Sequence, residues 1–270
     1  DHLFGHAAVV RSLVLFNALF AVQTALDFAY LWGGHALPDG MTYAAYAHRG
    51  AYPLVATALI AAAFTLVALR PGSETETSVP VRNLILLWVG QNVLLVASSI
   101  FRLDLYVSEY SLTMLRVAAF VWMGLVALGL VLIMVRVLRG YSNRWLVRWN
   151  LLALAFALYA CSLVNVPSLI AHYNVEHSRH VSGDGPPLDL YYLVSLGPQV
   201  IPALDRYLDA PVSEGHYKLT GVEEYIRTLK HEFQYSTVNW RSWSLQNARL
   251  KKYLKNRNII EPRNGHTPPR

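Results

Sequence analysis

The chain has 270 residues, 54% of them hydrophobic and 15% charged, with a formal net charge of +6 and a mean hydropathy of +0.30. These values exclude an ordinary soluble domain and suit a chain dominated by bilayer-length apolar runs. The excess of 23 Lys+Arg over 17 Asp+Glu is not read as a nucleic-acid signal, because Arg139, Arg144 and Arg148 cluster between two apolar runs, where basic residues set topology.

A hydrocarbon core of about 30 Å needs about 20 apolar residues as helix, and the predicted spans are residues 7–32, 51–69, 84–101, 115–138 and 149–171. In the first, only Asn17, Gln23, Thr24 and Asp27 soften the run, and Asn17, Thr24 and Asp27 share one helical face. That face is expected to point into the bundle. Asp27 is costly in lipid without a partner, and Arg49, Arg102 and Arg116 fall near its depth. A fixed ion pair and a proton- or substrate-binding group are both open readings.

The loop after the first span holds Gly33-Gly34-His35, then Pro38-Asp39-Gly40, a turn signal in which Gly40 supplies positive φ. Thr42 can cap a short interfacial helix displaying Tyr43, Tyr46 and His48, and Pro53 suits the first turn of the second span. Aromatic residues here serve either as membrane anchors or as part of a ligand site.

In the third span Gln91 and Asn92 can bond between helices or line a polar pathway. Residues 102–113 are expected to form an outer loop. With Arg116 they make a second cluster of Arg102, Asp104, Tyr106, Glu109 and Tyr110. Paired carboxylates can divide acid and base roles, but a charged rim at the membrane surface explains the same residues.

Arg136, Arg139, Arg144 and Arg148, with no acidic residue among them, mark the loop between the fourth and fifth spans as cytoplasmic. Alternation then puts residues 70–82 inside, and residues 33–50, residues 102–113 and the tail outside. The single cysteine, Cys161, rules out an intrachain disulfide. Asn165 can bond between helices, and Pro167 is expected to kink the fifth span.

His172, Glu176 and His180 have i, i+4, i+8 spacing if that span continues as helix, the most metal-like pattern in the chain. Strung along about 12 Å of straight helix, the three cannot reach one ion without a bend or a further element. No metal or other cofactor is expected.

Residues 181–187 form a Gly/Pro break. Beyond it Leu190, Leu193 and Leu196 make one short apolar face and Ile201, Leu204 and Leu208 another, with helices expected at residues 222–233 and 240–256. The basic stretch at 249–255 also suits an anionic leaflet. The chain thus divides into a transmembrane helical domain, residues 1–172, and an extramembrane helical tail, residues 173–270. Glycine-rich phosphate loops, His-Glu-x-x-His and Gly-x-Ser-x-Gly are absent from the sequence.

The segments Asp27-Phe28-Ala29-Tyr30-Leu31-Trp32-Gly33-Gly34, Leu37-Pro38-Asp39-Gly40-Met41-Thr42-Tyr43 and Tyr46-Ala47-His48-Arg49-Gly50-Ala51-Tyr52-Pro53-Leu54 are distinctive. So are Arg102-Leu103-Asp104-Leu105-Tyr106-Val107, Tyr110-Ser111-Leu112-Thr113-Met114-Leu115-Arg116, Asn174-Val175-Glu176, Leu188-Asp189-Leu190-Tyr191-Tyr192-Leu193 and Leu196-Gly197-Pro198. Through them the chain resembles an uncharacterised family of bacterial multi-pass membrane proteins, the DUF4153/DUF4173 group. The resemblance implies further spans upstream, so that this sequence is a C-terminal portion, and it brings no activity with it.

The expectation is an all-α polytopic bundle in a bacterial cytoplasmic membrane, acting as a non-catalytic envelope sensor or organiser. The candidate cluster is Asp27, His48, Arg49, Arg102, Asp104 and Arg116. Its partners are membrane lipids and a protein bound through the tail, with no nucleic acid. The alternative is a membrane-embedded enzyme or transporter acting on an anionic or lipid-linked ligand at the outer face.

Overall fold

The computed structural model describes residues 6–29, 60, 63–64, 78–211, 219–236 and 244–257, and these are helical or lie in the turns between helices. The helices are α1 (His6–Asp27), α2 (Val79–Tyr110), α3 (Met114–Arg139), α4 (Asn143–Leu163), α5 (Val166–Glu176), α6 (Arg179–Ser182), α7 (Leu190–Ser195), α8 (Ile201–Asp209), α9 (Val222–Ser236) and α10 (Leu245–Asn256). A short 3₁₀ turn, Pro198–Val200, leads into α8. Among the described residues, α1 to α4 are long and apolar enough to cross a membrane. The protein is a polytopic helical membrane bundle with additional C-terminal helices. The second predicted span lies largely outside the described residues; of it, Ile60, Ala63 and Phe64 are helical.

The chain divides into two compact units, residues 1–110 with 115–160, and residues 111–114 with 161–270. In the first unit α1 and α2 are the main packed pair. The buried positions of α2 include Val81, Ile85, Trp88, Asn92, Leu95, Ser99 and Arg102, the three-and-four spacing of one helical face. Trp88 lies stacked on Phe16 with centroids 5.0 Å apart and meets Phe20 and Phe64 edge-on. Such aromatic pairs add about 1 kcal/mol each beyond area burial. Polar contacts advance in the same sense along both helices: His6 with Ser78, Asn17 with the Leu84 carbonyl, Asp27 with Arg102. The two helices therefore run parallel.

Two spans differ from their expected extents. Residues 102–110, expected as loop, continue α2 as helix because the first break comes at Ser111, whose φ is 67°. The fifth span, expected as one kinked helix over residues 149–171, is interrupted: α4 ends at Leu163 and α5 begins at Val166. Pro167 has no N–H to continue the ladder and favours the first turn of a new helix. The Asn165 side chain accepts the Ser168 N–H as that helix's cap.

The second unit has its own core, including Ile170, Val175, Leu193, Ile201, Leu204, Tyr207, Ile226, Leu229, Phe233, Leu250 and Leu254. The apolar face of α10, Leu250 and Leu254, is thus buried in this core while Lys251, Lys252 and Lys255 are exposed. Three amides bind the helices together: Asn165 donates to Gln199 at 2.8 Å, and Gln199 donates to Asn247 at 2.8 Å.

Candidate functional site

Asp27 sits in the last turn of α1 and Arg102 in the C-terminal half of α2. The Arg102 Nη2 donates to Asp27 Oδ2 at 2.6 Å, and both residues are buried, at 7% and 3% exposure. Gln23, one turn earlier on α1, donates to Asp27 Oδ1 at 3.1 Å. Both carboxylate oxygens are therefore engaged. A paired, hydrogen-bonded carboxylate is the arrangement that makes an ionised group tolerable in a low-dielectric interior.

Arg116 does not join this pair. Its guanidinium lies over the Tyr106 ring, 4.2 Å from the centroid, and donates to the Tyr110 carbonyl at 2.5 Å. That contact combines a cation–π interaction with satisfaction of one of the orphan carbonyls at the end of α2. Asp104 is exposed on α2, on a different face from Arg102. Of the predicted cluster, the structure thus joins Asp27 to Arg102 and separates Asp104 and Arg116 from them. His48 and Arg49 lie outside the described residues.

The metal-like trio is also divided. The helix carrying His172 ends at Glu176, and His180 belongs to α6. The His172 Nδ1 lies 2.8 Å from the Ser168 carbonyl, Glu176 pairs with Arg206 at 2.6 Å, and His180 stands edge-on to Tyr207. Among the described residues no group of three His, Cys, Asp or Glu side chains is placed to hold a metal ion.

A junction that residue spacing did not single out lies in the second unit. Asn174, buried on α5, accepts the Leu112 N–H at 2.7 Å and donates to the Leu112 carbonyl at 2.9 Å. The Tyr192 hydroxyl accepts the Met114 N–H at 2.9 Å, and Asp189 caps the helix of Tyr192 by accepting its N–H at 2.9 Å. The only signal for this junction was the resemblance, whose segments around Ser111, Asn174 and Tyr192 meet here.

The profile of the family described as Domain of unknown function (DUF4153) matches residues 2–207. The chain belongs to the DUF4153 family. No curated protein and no solved structure matches it. The match covers α1 to α7 and most of α8, so the Asp27–Arg102 pair and the Asn174–Leu112 junction both fall inside the DUF4153 region.

Proposed function

We propose that this DUF4153 chain is a non-catalytic organiser or sensor of the bacterial cell envelope, embedded in the cytoplasmic membrane, and that its helical tail engages a protein partner on the outer face. The observation that carries the reading is the 2.6 Å contact between Asp27 and Arg102. A carboxylate whose two oxygens each accept a hydrogen bond, one from Arg102 and one from Gln23, serves as a joint between helices. A proton carrier or substrate ligand has to be reached by the proton or ligand, and Asp27 is buried at 3% exposure. In this reading the transmembrane domain of residues 1–172 is a scaffold for the tail. The predicted second span, residues 51–69, returns the chain across the bilayer so that parallel α1 and α2 both start from the same side.

The test is a charge swap. Asp27→Arg combined with Arg102→Asp restores folding and the phenotype lost in each single variant if the pair is a joint. A swapped protein that folds but leaves the phenotype of a gene deletion shows that the carboxylate's position matters chemically, and sinks the reading.

A second reading, a transporter, is favoured by a row of acceptors along the α1–α2 seam. The side-chain oxygens of Asn17, Thr24, Gln91 and Asn92 are buried and have no hydrogen-bond partner among the described residues. The amide nitrogens of Asn17 and Asn92 donate to the carbonyls of Leu13 and Trp88, which orients the oxygens away from those carbonyls. Unpaired acceptors in a bilayer interior need donors, and ordered water supplies them. Water-soluble thiol reagents reaching cysteines placed at Thr24 and Asn92 would support this path; complete protection would exclude it.

A further inference from the structure

Helix α4 is the least packed of the spanning helices: within it Leu146 alone is buried. One face carries a shallow depression of about 660 Å³ lined by Asn143, Arg144, Val147, Arg148, Leu151, Leu152 and Ala155. Its polar end is cationic and the rest is hydrocarbon. Arg144 and Arg148 are exposed, and neither α3 nor α4 contains an acidic residue.

We propose that this face binds one anionic phospholipid, its phosphate held by Arg144 and Arg148 and an acyl chain lying along Val147, Leu151, Leu152 and Ala155. Two observations argue for a lipid. From Arg144 to Ala155 the helix rises about 16 Å, close to half of the roughly 30 Å hydrocarbon core. The depression therefore has the length of one leaflet.

Tyr141, Trp145 and Trp149 form a ladder of rings, with centroids 4.6 Å and 6.0 Å apart. Aromatic residues of this kind mark the membrane–water interface, so they set the arginines at headgroup depth and the leucines below it.

A protein helix covering this face would have to bring its own carboxylates to two adjacent guanidinium groups. A phosphate diester supplies that charge already, in the geometry arginine is suited to.

The test uses the full chain purified in a mild nonionic detergent. Phosphatidylglycerol and phosphatidylcholine of identical acyl chains are titrated in, with bound lipid counted by native mass spectrometry and stability followed by thermal melting. Phosphatidylglycerol is expected to bind selectively and raise the melting temperature. Arg144→Gln with Arg148→Gln should weaken its binding on the order of 30-fold, at about 1 kcal/mol per basic residue.

Should that double variant misfold, Ala155→Trp, which fills the tail end and spares the arginines, should also reduce binding. Glycerol phosphate without acyl chains should not compete. Equal binding of both lipids, undiminished phosphatidylglycerol binding in either folded variant, or a disulfide-linked dimer formed readily through Leu151→Cys in a Cys161→Ala background would each overturn the proposal, the last by assigning the face to a second copy.

Discussion

Asn174 holds Leu112 by both ends of its peptide, accepting the N–H at 2.7 Å and donating to the C=O at 2.9 Å. A side-chain amide here does what a neighbouring β-strand would do, in a buried setting where water is not at hand to satisfy the same groups. The cost of losing it follows directly. Asn174→Leu leaves a buried donor and acceptor unpaired and should destabilise by about 3 kcal/mol. Asn174→Asp, which keeps an acceptor, should lose less. Thermal melting of the purified variants measures both.

Ser111 is the one non-glycine described residue with positive φ, at 67°. The left-handed conformation costs an L-residue about 1 kcal/mol. Ser111→Gly is therefore expected to raise the melting temperature rather than lower it, provided the Asn174 contact is intact. A drop would mean that the Ser111 side chain contributes more than its backbone strain costs.

Removing one member of the Asp27–Arg102 pair leaves a buried charge without its counterion. Asp27→Asn should cost about 3 kcal/mol. Asp27→Ala combined with Arg102→Ala should cost less than the sum of the two single changes, because no charge is stranded. Additivity in this double-mutant cycle would show that the contact is energetically silent.

In the second unit, Tyr253 donates to Asp205 at 3.0 Å. Burial, that hydrogen bond and the nearby carboxylate charge push its phenol from the usual 10.0 up to about 12, against a smaller lowering by Arg257. A raised folded-state value favours the neutral form. Its contribution to stability is therefore complete below pH 10 and is lost as pH rises from 10 through about 12. Difference absorbance of the native chain against Tyr253→Phe should show one phenol titrating near 12, and a step at 10 would refute the buried contact.

Between α3 and α4, a Cβ added at Gly129 would lie 3.1 Å from the Asn150 side-chain oxygen. Small residues let membrane helices approach closely. Gly129→Ala needs a shift of only a few tenths of an ångström, whereas Gly129→Leu overfills the contact and should cost about 2 kcal/mol. Melting in detergent distinguishes the two; equal stability would mean that the helices separate freely there.

Much of the architecture is legible in the sequence. Apolar run length marked the helices that can cross a bilayer, and the spacing of Asn17, Thr24 and Asp27 identified the inward face of α1, where Asn17 and Asp27 are buried. Helix-breaking chemistry was legible only in part. Pro167 was recognised, but a proline reads alike as a kink or as a new start. What decides is the Asn165 side chain turning back to cap Ser168, which depends on local geometry.

The identity of partners was not legible at all. Rise along a helix is a fixed length per residue, so sequence alone could place Asp27 at the depth of Arg49, Arg102 and Arg116. It could not say which of them would meet it, because long flexible side chains at one depth differ in azimuth, and azimuth follows from how helices pack. The tertiary structure joined Arg102 to Asp27, sent Arg116 to Tyr106 and Tyr110, and brought Asn174 to Leu112 across 62 positions of chain. Membrane class, apolar helices and their inward faces are local consequences of composition and period; the polar joints are long-range consequences of packing.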